Sequence, residues 1–426
     1  MSEKKDRLTK TELSWVLYDV GNSAFTMIAC SLVPIWYKAL AKQAGDAAYA
    51  HATANWAYVT AIVTVIVALI CPICGAIADN KDFKKPVFAT SLVLGILACC
   101  LMGFINGWMA FLVVYIIAKV AYSASLTFYD AMLTDVTTPE RADRVSSYGY
   151  AWGYLGSCLP FIVALVFYMA GEGMLGGFVV SAELARIVGC IATAVWWMLV
   201  TLPLLKNYKQ TYYVETNKDA VKEAFSRLWQ TIKTIASRDK KVFLFLIAFF
   251  FYIDGVNTII DNCINIGTDL ELDTVGQVIF LLATQVVAFA FSLIFARLSR
   301  RFDTVTLILT CIAGYFIVCV YALFLHTLFQ FAIMAFGVGM FQGSIQSMSR
   351  SYFSKIIPAE NAGEYFGIYD IFCKGASFLG SLTIGIVKDI TGSIQLAVGA
   401  LVIFFALGFF FLRMADKAPG AAEANA

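Results

Sequence analysis

Residues 14–37, "SWVLYDVGNSAFTMIACSLVPIWY", read as one long apolar run interrupted by Asp19 and Asn22 on adjacent turns. A helix needs ~20 apolar residues to cross ~30 Å of hydrocarbon, and this run supplies them. Runs of this kind recur along the chain. Of its 426 residues 60% are hydrophobic and 14% charged, and the mean hydropathy is +0.77. Soluble chains carry about 25% charged residues. The composition therefore specifies an all-α integral membrane protein. The net charge of +2 identifies no partner, and nothing in the chain suggests nucleic acid.

Twelve spans are expected, at roughly 14–37, 56–78, 87–104, 108–131, 145–170, 186–205, 242–262, 274–297, 304–325, 327–349, 364–387 and 393–413. The charged N-terminus MSEKKDRLTK precedes the first span with no cleavable signal pattern, so that span serves as its own insertion signal. With the N-terminus inside, 25 of the 31 Lys and Arg residues fall in cytoplasmic segments or, as Arg297 and Arg413 do, at the span ends that border them. The positive-inside rule then puts both termini in the cytoplasm. A bacterial inner (plasma) membrane is the expected location. The plan divides into a first bundle (1–205), a linker (206–241) and a second bundle (242–426). Within the linker Val221, Ala224, Phe225, Leu228, Ile232 and Ile235 recur at helical spacing among Lys218, Lys222, Arg227 and Lys233. That pattern predicts an amphipathic helix along the inner membrane surface.

Enzyme readings find no support. No GxxxxGK[ST] loop is encoded, and the two histidines, His51 and His326, belong to no metal-ligand pattern. The eleven cysteines, Cys71 and Cys74 among them, sit in or beside apolar runs, as helix-packing residues do. No cofactor, metal or catalytic residue is expected. Uphill transport would draw on an ion gradient, and the partners implied are a small solute, the bilayer and protons, acting on a monomer.

The ionisable residues inside spans are Asp19, Lys119, Asp130, Asp254, Asp261, Asp370 and Lys374. Each costs on the order of 2.5–3.5 kcal/mol at a helix centre, so each should face a bundle interior or a wet cavity. Asp370 and Lys374, at i and i+4, suit a structural pair. Asp130, a turn from the end of span 4, is either a headgroup-level contact or a cavity acid. Lys119, about 16 Å into span 4, has no carboxylate at i±3 or i±4. Asp254 is as deep in span 7 and equally unpartnered locally. Both are expected to face a central cavity. Tyr122 follows in span 4, and Asn257 and Asp261 in span 7. Spans 1, 4, 7 and 10 are polar, whereas 3, 9 and 12 are apolar; this predicts a cavity lined by every third span.

The two halves also echo one another, as transporter repeats do. "YDVGN" (18–22) has a counterpart in "YIDGVN" (252–257), and "TTPERADRVSSYG" (137–149) in "IIPAENAGEYFG" (356–367). Gly149, Gly153 and Gly156 would let span 5 approach a neighbour closely. The expected substrate residues are Asn22, Lys119, Tyr122, Asp254 and Asn257, with Asp19, Asp130 and Asp254 as cavity or proton-coupling acids. A zwitterion would give its amine to Asp19 or Asp254 and its carboxylate to Lys119. Asp19 is only about 8 Å from the inner boundary, which suits the cytoplasmic side of the cavity or its gate.

The loop "GAIADNKDFKKP" (75–86) resembles the signature loop of the major facilitator superfamily through Gly75, Asp79, Lys84, Lys85 and Pro86. Asp82 stands where a glycine is usual and Phe83 where a basic residue is usual; "RLSRRFD" (297–303) is a remnant of the second-half loop. "WVLYDVGNSAF", "TPERADRVSSYGYAWGYLGS", "FYIDGVNTII" and "SMSRSYFSKIIPAENAGEYFGIYDIFCKGASFLG" resemble the vacuole effluxer-like branch of that superfamily. The resemblance implies twelve helices in two six-helix bundles, with Asp79 in a gate that faces the cytoplasmic end of span 11. Asp370 and Lys374 are the further conformational candidates. Its fungal members are associated with amino-acid release from the vacuole, so the expected activity is secondary transport of a small polar or zwitterionic solute, an amino acid first. The rivals are an exporter or facilitator of sugars, drugs or amphiphiles, and a non-transporting membrane receptor or assembly partner.

Overall fold

The computed structural model describes residues 7–215, 220–237, 239–270 and 274–419. The first half contains α1 (Lys10–Cys30), α2 (Leu32–Gln43), α3 (Asp46–Ala50), α4 (Ala52–Ala78), α5 (Lys84–Phe104), α6 (Trp108–Ala131), α7 (Leu133–Val136), α8 (Pro139–Gly171) and α9 (Ala182–Asn207). After α10 (Ala220–Ser237) come α11 (Lys240–Asp269), α12 (Thr274–Leu298), α13 (Thr304–Ala322), α14 (Leu328–Ile356), α15 (Ala362–Thr391), α16 (Ile394–Gly399) and α17 (Val402–Lys417). Among the described residues there is no strand, only an isolated bridge between Asn80 and Val214.

Every expected span falls on helix, the first divided into α1 and α2 and the last into α16 and α17. Among the described residues ten stretches are long and apolar enough to cross a membrane; α12 and α15 fall at the remaining two places in the twelve-span plan. Exposed side chains on these helices, such as Leu97, Val113, Leu159, Leu199 and Ile317, are apolar. That is how a lipid-facing surface must look, since only helices with internally paired backbones survive in hydrocarbon.

Local signals set the boundaries. Thr9 and Glu12 form a reciprocal capping box at the start of α1 (3.1 and 2.7 Å). The first span breaks at Ser31, because Pro34 has no N–H to return to the preceding turn. Pro139 opens α8 at its first turn, so the segment expected as a loop before residue 145 is helical. Likewise α14 runs to Ile356, seven residues past the expected end of span 10.

Buried apolar residues form two clusters. One runs from Trp15 to Tyr208; the other runs from Ile235 to Ala415 and takes in Ala131. The halves meet where α4 packs on α15 and where α8 packs on α12 and α14. Backbones touch at the first contact: a Cβ on Gly75 would lie 2.1 Å from the Gly363 carbonyl oxygen. Only glycine permits that approach. Within the first half glycines of α8 face α1, where a Cβ on Gly149 would meet the Asp19 carboxylate and one on Gly153 would lie 3.3 Å from the Asp19 carbonyl oxygen.

The linker does contain a helix, α10, but it packs against α4 and α11, with Ile235 buried and Trp229 and Ile232 exposed. Lys218 and the side chains of Val221, Lys222, Ala224, Phe225 and Arg227 lie outside the described residues.

Candidate solute cavity and gates

A cavity of about 400 Å³ lies between the two clusters. Asp19, Asn22 and Thr26 of α1 line it, with Tyr122 and Asp130 of α6. Asn257 and Asp261 of α11 and Gln342, Gln346 and Arg350 of α14 complete the four expected walls (spans 1, 4, 7 and 10). Three further walls come from α8 (Tyr150, Tyr154), α12 (Gln285) and α15 (Tyr369, Asp370). The strict every-third-helix expectation is therefore too narrow. A polar stripe inside a mostly apolar helix, such as Gln285 in α12, is diluted in an averaged hydropathy.

The expected ligands separate. Asn22, Tyr122 and Asn257 lie on the wall, as do Asp19, Asp130 and Asp370. Asn22 donates to Asp19 (3.2 Å), and the Tyr122 and Thr26 hydroxyls are 2.6 Å apart. Asp254 is not on the wall: it is fully buried and accepts from the Gly380 N–H (2.9 and 3.0 Å) and the Thr258 hydroxyl (3.2 Å). It ties α11 to α15 within the second half, a role that depth in a span cannot distinguish from a cavity role. Lys119 is also absent from the wall. Its ammonium lies 5.0 Å from the centre of the Tyr122 ring and within electrostatic reach of Asp261. The proposed pair of Asp370 with Lys374 falls partly outside the described residues, since the Lys374 side chain is not among them. Asp370 itself accepts from Thr127 of α6, in the other half.

The residue that organises this site is one the sequence reading passed over. Arg350, placed just beyond span 10, lies inside α14 and is 2% exposed. One guanidinium nitrogen is 3.0 Å from Asp19 and another 3.0 Å from Asp130. It also donates to the Ser146 hydroxyl (2.9 Å) and carbonyl (3.2 Å). Its Cζ lies 4.4 Å from the centre of the Tyr150 ring and 4.6 Å from the centre of a Trp15 ring. A buried guanidinium survives only with such pairing, hydrogen bonding and aromatic stacking. The signal for it is "SMSRSYF" (347–353), where an arginine interrupts a run of small and aromatic residues that continues the helix.

Toward the side that carries the linker, further contacts join the halves. The Asp79 carboxylate accepts from the backbone N–H groups of Gly363 (2.7 Å) and Glu364 (2.8 Å), at the start of α15. A helix N-terminus favours an anion there. Lys84 is buried between Asp79 (3.8 Å) and Asp135 (3.1 Å). Burial pushes the Asp79 carboxyl up to about 7, against the opposing pull of Lys84 and of the two N–H groups. Lys85 is exposed. Across the molecule Asp143 of α8 pairs with Lys355 of α14 (2.7 Å) and accepts from Ser351 and from Thr304 (2.8 Å). Between these two contacts the Ser146 hydroxyl donates to the Ser347 carbonyl (2.8 Å).

A second chamber of about 370 Å³ adjoins the first, with a more apolar wall that includes Phe161, Leu282 and Val338.

Two packed helical halves around a polar cavity, latched to each other on one side, define a membrane transporter of the major facilitator type. Solved structures share the fold. The transporter FucP in its outward conformation superposes with a TM-score of 0.74 at 15% identity, covering 96% of this chain and 99% of that one. The human organic anion transporter MFSD10 (TETRAN) gives 0.70 at 14% identity, covering 95% and 100%. The chain matches the family described as "Vacuole effluxer Atg22 like" over residues 8–425, and it belongs to that family. It is 40% identical to the uncharacterized MFS-type transporter YxiO of Bacillus subtilis (strain 168) over 414 residues, 96% of each chain. Autophagy-related protein 22-1 of Sclerotinia sclerotiorum is 25% identical over 323 residues, 68% of this chain and 52% of that protein. The chain thus spans about half the length of this fungal relative. It is a multi-pass transporter of the superfamily and not an enzyme.

Proposed function

We propose that the protein is a secondary transporter that exports a small polar or zwitterionic solute, an amino acid first, by alternating access. The units that rock are residues 1–205 and 242–426, joined by the 206–241 linker. The observation that carries this reading is the cavity: carboxylates, amides and tyrosines from both halves converge on one space, and on its linker side the contacts of Asp79 with Gly363 and Glu364, of Asp143 with Lys355 and of Ser146 with Ser347 cross between halves. Such a latch breaks as a unit when the halves rock. The excess of Lys and Arg on the linker side supports cytoplasmic termini, in a bacterial inner membrane. Asp79, Asp143 and Arg350 are then cytoplasmic gates, and the two chambers lead outward. The cavity acids support coupling to protons. The apolar second chamber favours one alternative, an amphiphilic cargo.

Counterflow in proteoliposomes containing the purified full chain tests the reading. The panel holds the standard L-amino acids, neutral sugars and amphiphilic amines, with and without a pH gradient. Accumulation of an amino acid that increases with the gradient is expected. Accumulation of amphiphiles alone selects the alternative. Thermal stabilisation by a solute without any flux would make the protein a receptor and end the transport reading.

A further inference from the structure

Six residues belong to the walls of both chambers: Met27, Cys30, Ile260, Asp261, Gln285 and Gln342. They line the boundary that the two chambers share, called the neck below. The acids of the main chamber differ from the acid of this neck. Asp19 and Asp130 are held by Arg350, and Asp370 accepts from Thr127. Asp254 is sealed away on Gly380. Asp261 instead stands exposed to both chambers, with no hydrogen bond or ion pair among the described residues. The charge that acts on it comes from Lys119 of α6, on the opposite half.

Gln285 of α12 shares the neck. Its amide nitrogen touches only the Met27 sulfur (3.4 Å), and its buried Oε1 has no hydrogen-bond partner among the described residues. A thioether is a weak acceptor, and a buried carbonyl oxygen without a donor is a group that a ligand can satisfy. Asp261 presents a carboxylate at the neck, and the Gln285 carboxamide adds a carbonyl without a donor beside an amide held only by a thioether, so the carboxylate sets the sign of the site. The ligand group that fits is a donor with positive charge.

We propose that Asp261 and Gln285 form an ammonium subsite at the neck, which selects solutes carrying a protonated amine. The subsite deepens the transport reading above and rests on it for its physiological role. Its chemistry can be probed without any transport. Cys30 is exposed at the same neck and serves as a reporter.

In the full chain carrying Cys373→Ser, Cys30 is modified with 2-aminoethyl methanethiosulfonate or with its 2-sulfonatoethyl counterpart, and the rates are read by peptide mass spectrometry. The ammonium reagent should react about tenfold faster relative to the sulfonate than it does with a free thiol, since charges a few ångströms apart in a protein cavity shift rates by that order. Asp261→Asn should remove most of that preference, and Gln285→Glu should increase it. The second change is a gain that misfolding cannot mimic. A ratio unmoved by both substitutions overturns the subsite. In counterflow the wild-type chain should carry L-amino acids and not the matching 2-hydroxy acids. Equal flux of both overturns the subsite as a filter while leaving transport standing. If no solute moves yet the Cys30 ratio responds as stated, the subsite stands and the transport reading fails.

Discussion

On the linker side the first half reaches the second through two carboxylates of different design. Asp79 is held by two backbone N–H groups at the start of α15, whereas Asp143 is held by the side chains of Lys355, Ser351 and Thr304. The Asp79 latch needs bare backbone, hence the Gly75–Gly363 contact, and its partner cannot be exchanged by mutation. The Asp143 latch is a side-chain pair. The full signature loop precedes α5, and on the other side only the remnant "RLSRRFD" precedes α13. The two contacts thus close one side with different chemistry, backbone donors for Asp79 and side chains for Asp143. Arg350 lies between the two and bears on both α1 and α6.

The largest expected effect is at this shared centre. Arg350→Ala leaves Asp19 and Asp130 buried without their cation and should cost about 3–5 kcal/mol. Thermal unfolding in detergent should show a lowered Tm, and adding Asp19→Asn and Asp130→Asn should recover part of it. If Arg350→Ala unfolds like the wild type, the two latches do not depend on their centre.

Next is Gly75→Val, whose added atoms meet the Gly363 carbonyl. Overpacking of this kind costs typically about 1–3 kcal/mol, directed against the latched form. A cysteine placed at the fully buried Ser347 should then label faster from the linker side. Unchanged labelling would mean that the backbone contact does not hold the side shut.

Exchanging charges separates the two designs. Asp143→Lys or Lys355→Asp alone should raise labelling at position 347, and the double exchange should lower it again. Lys355 is 22% exposed on its side chain, so the pair is worth only about 1–2 kcal/mol. No exchange in the second half should rescue Asp79→Lys, because its partners there are backbone groups and its one side-chain partner, Lys84, belongs to its own half.

A titration distinguishes them further. The latched Asp79 carboxyl holds its proton up to about 7, and a solvated one releases it near 4. The latched form thus binds the extra proton, and its advantage is full below the solvated value and lost as pH rises through 7. Between pH 6 and 8 the latch should weaken by about 1 kcal/mol. Labelling at 347 should rise over that interval in the wild type and stay flat in Asp79→Asn. A flat wild-type profile would remove Asp79 from the gate's pH response.

The smallest effect concerns Asp82, whose φ of +64° lies in the left-handed region where the signature loop usually has glycine. Aspartate tolerates that region better than most residues. Asp82→Gly should therefore change stability by less than about 1 kcal/mol, a small shift in the same melting curves.

Much of the cavity was legible because hydropathy and spacing are local properties. Asn22, Tyr122, Asn257 and Asp130 are polar residues in apolar helices, and the cavity is where such residues can be solvated. Asp254 and Lys119 satisfied the same criterion and lie off the wall. Depth along a helix can be counted from its ends, but the direction a side chain takes around the axis depends on which neighbour packs there. Arg350 was missed because an apolar window ends where a charge begins, although α14 continues past it.

The sequence by itself determined the membrane class, the positions of the spans and the kinship of the signature loop, since the transfer of each segment into lipid depends on that segment alone. Only the tertiary structure decided that Arg350 closes on Asp19, 331 residues away, that Asp254 accepts from Gly380 off the cavity wall and that Asp261 stands at the neck. Those outcomes are set by which neighbouring helix meets each buried polar group, across the halves for Arg350 and within one half for Asp254, and no single helix carries the information about its partner.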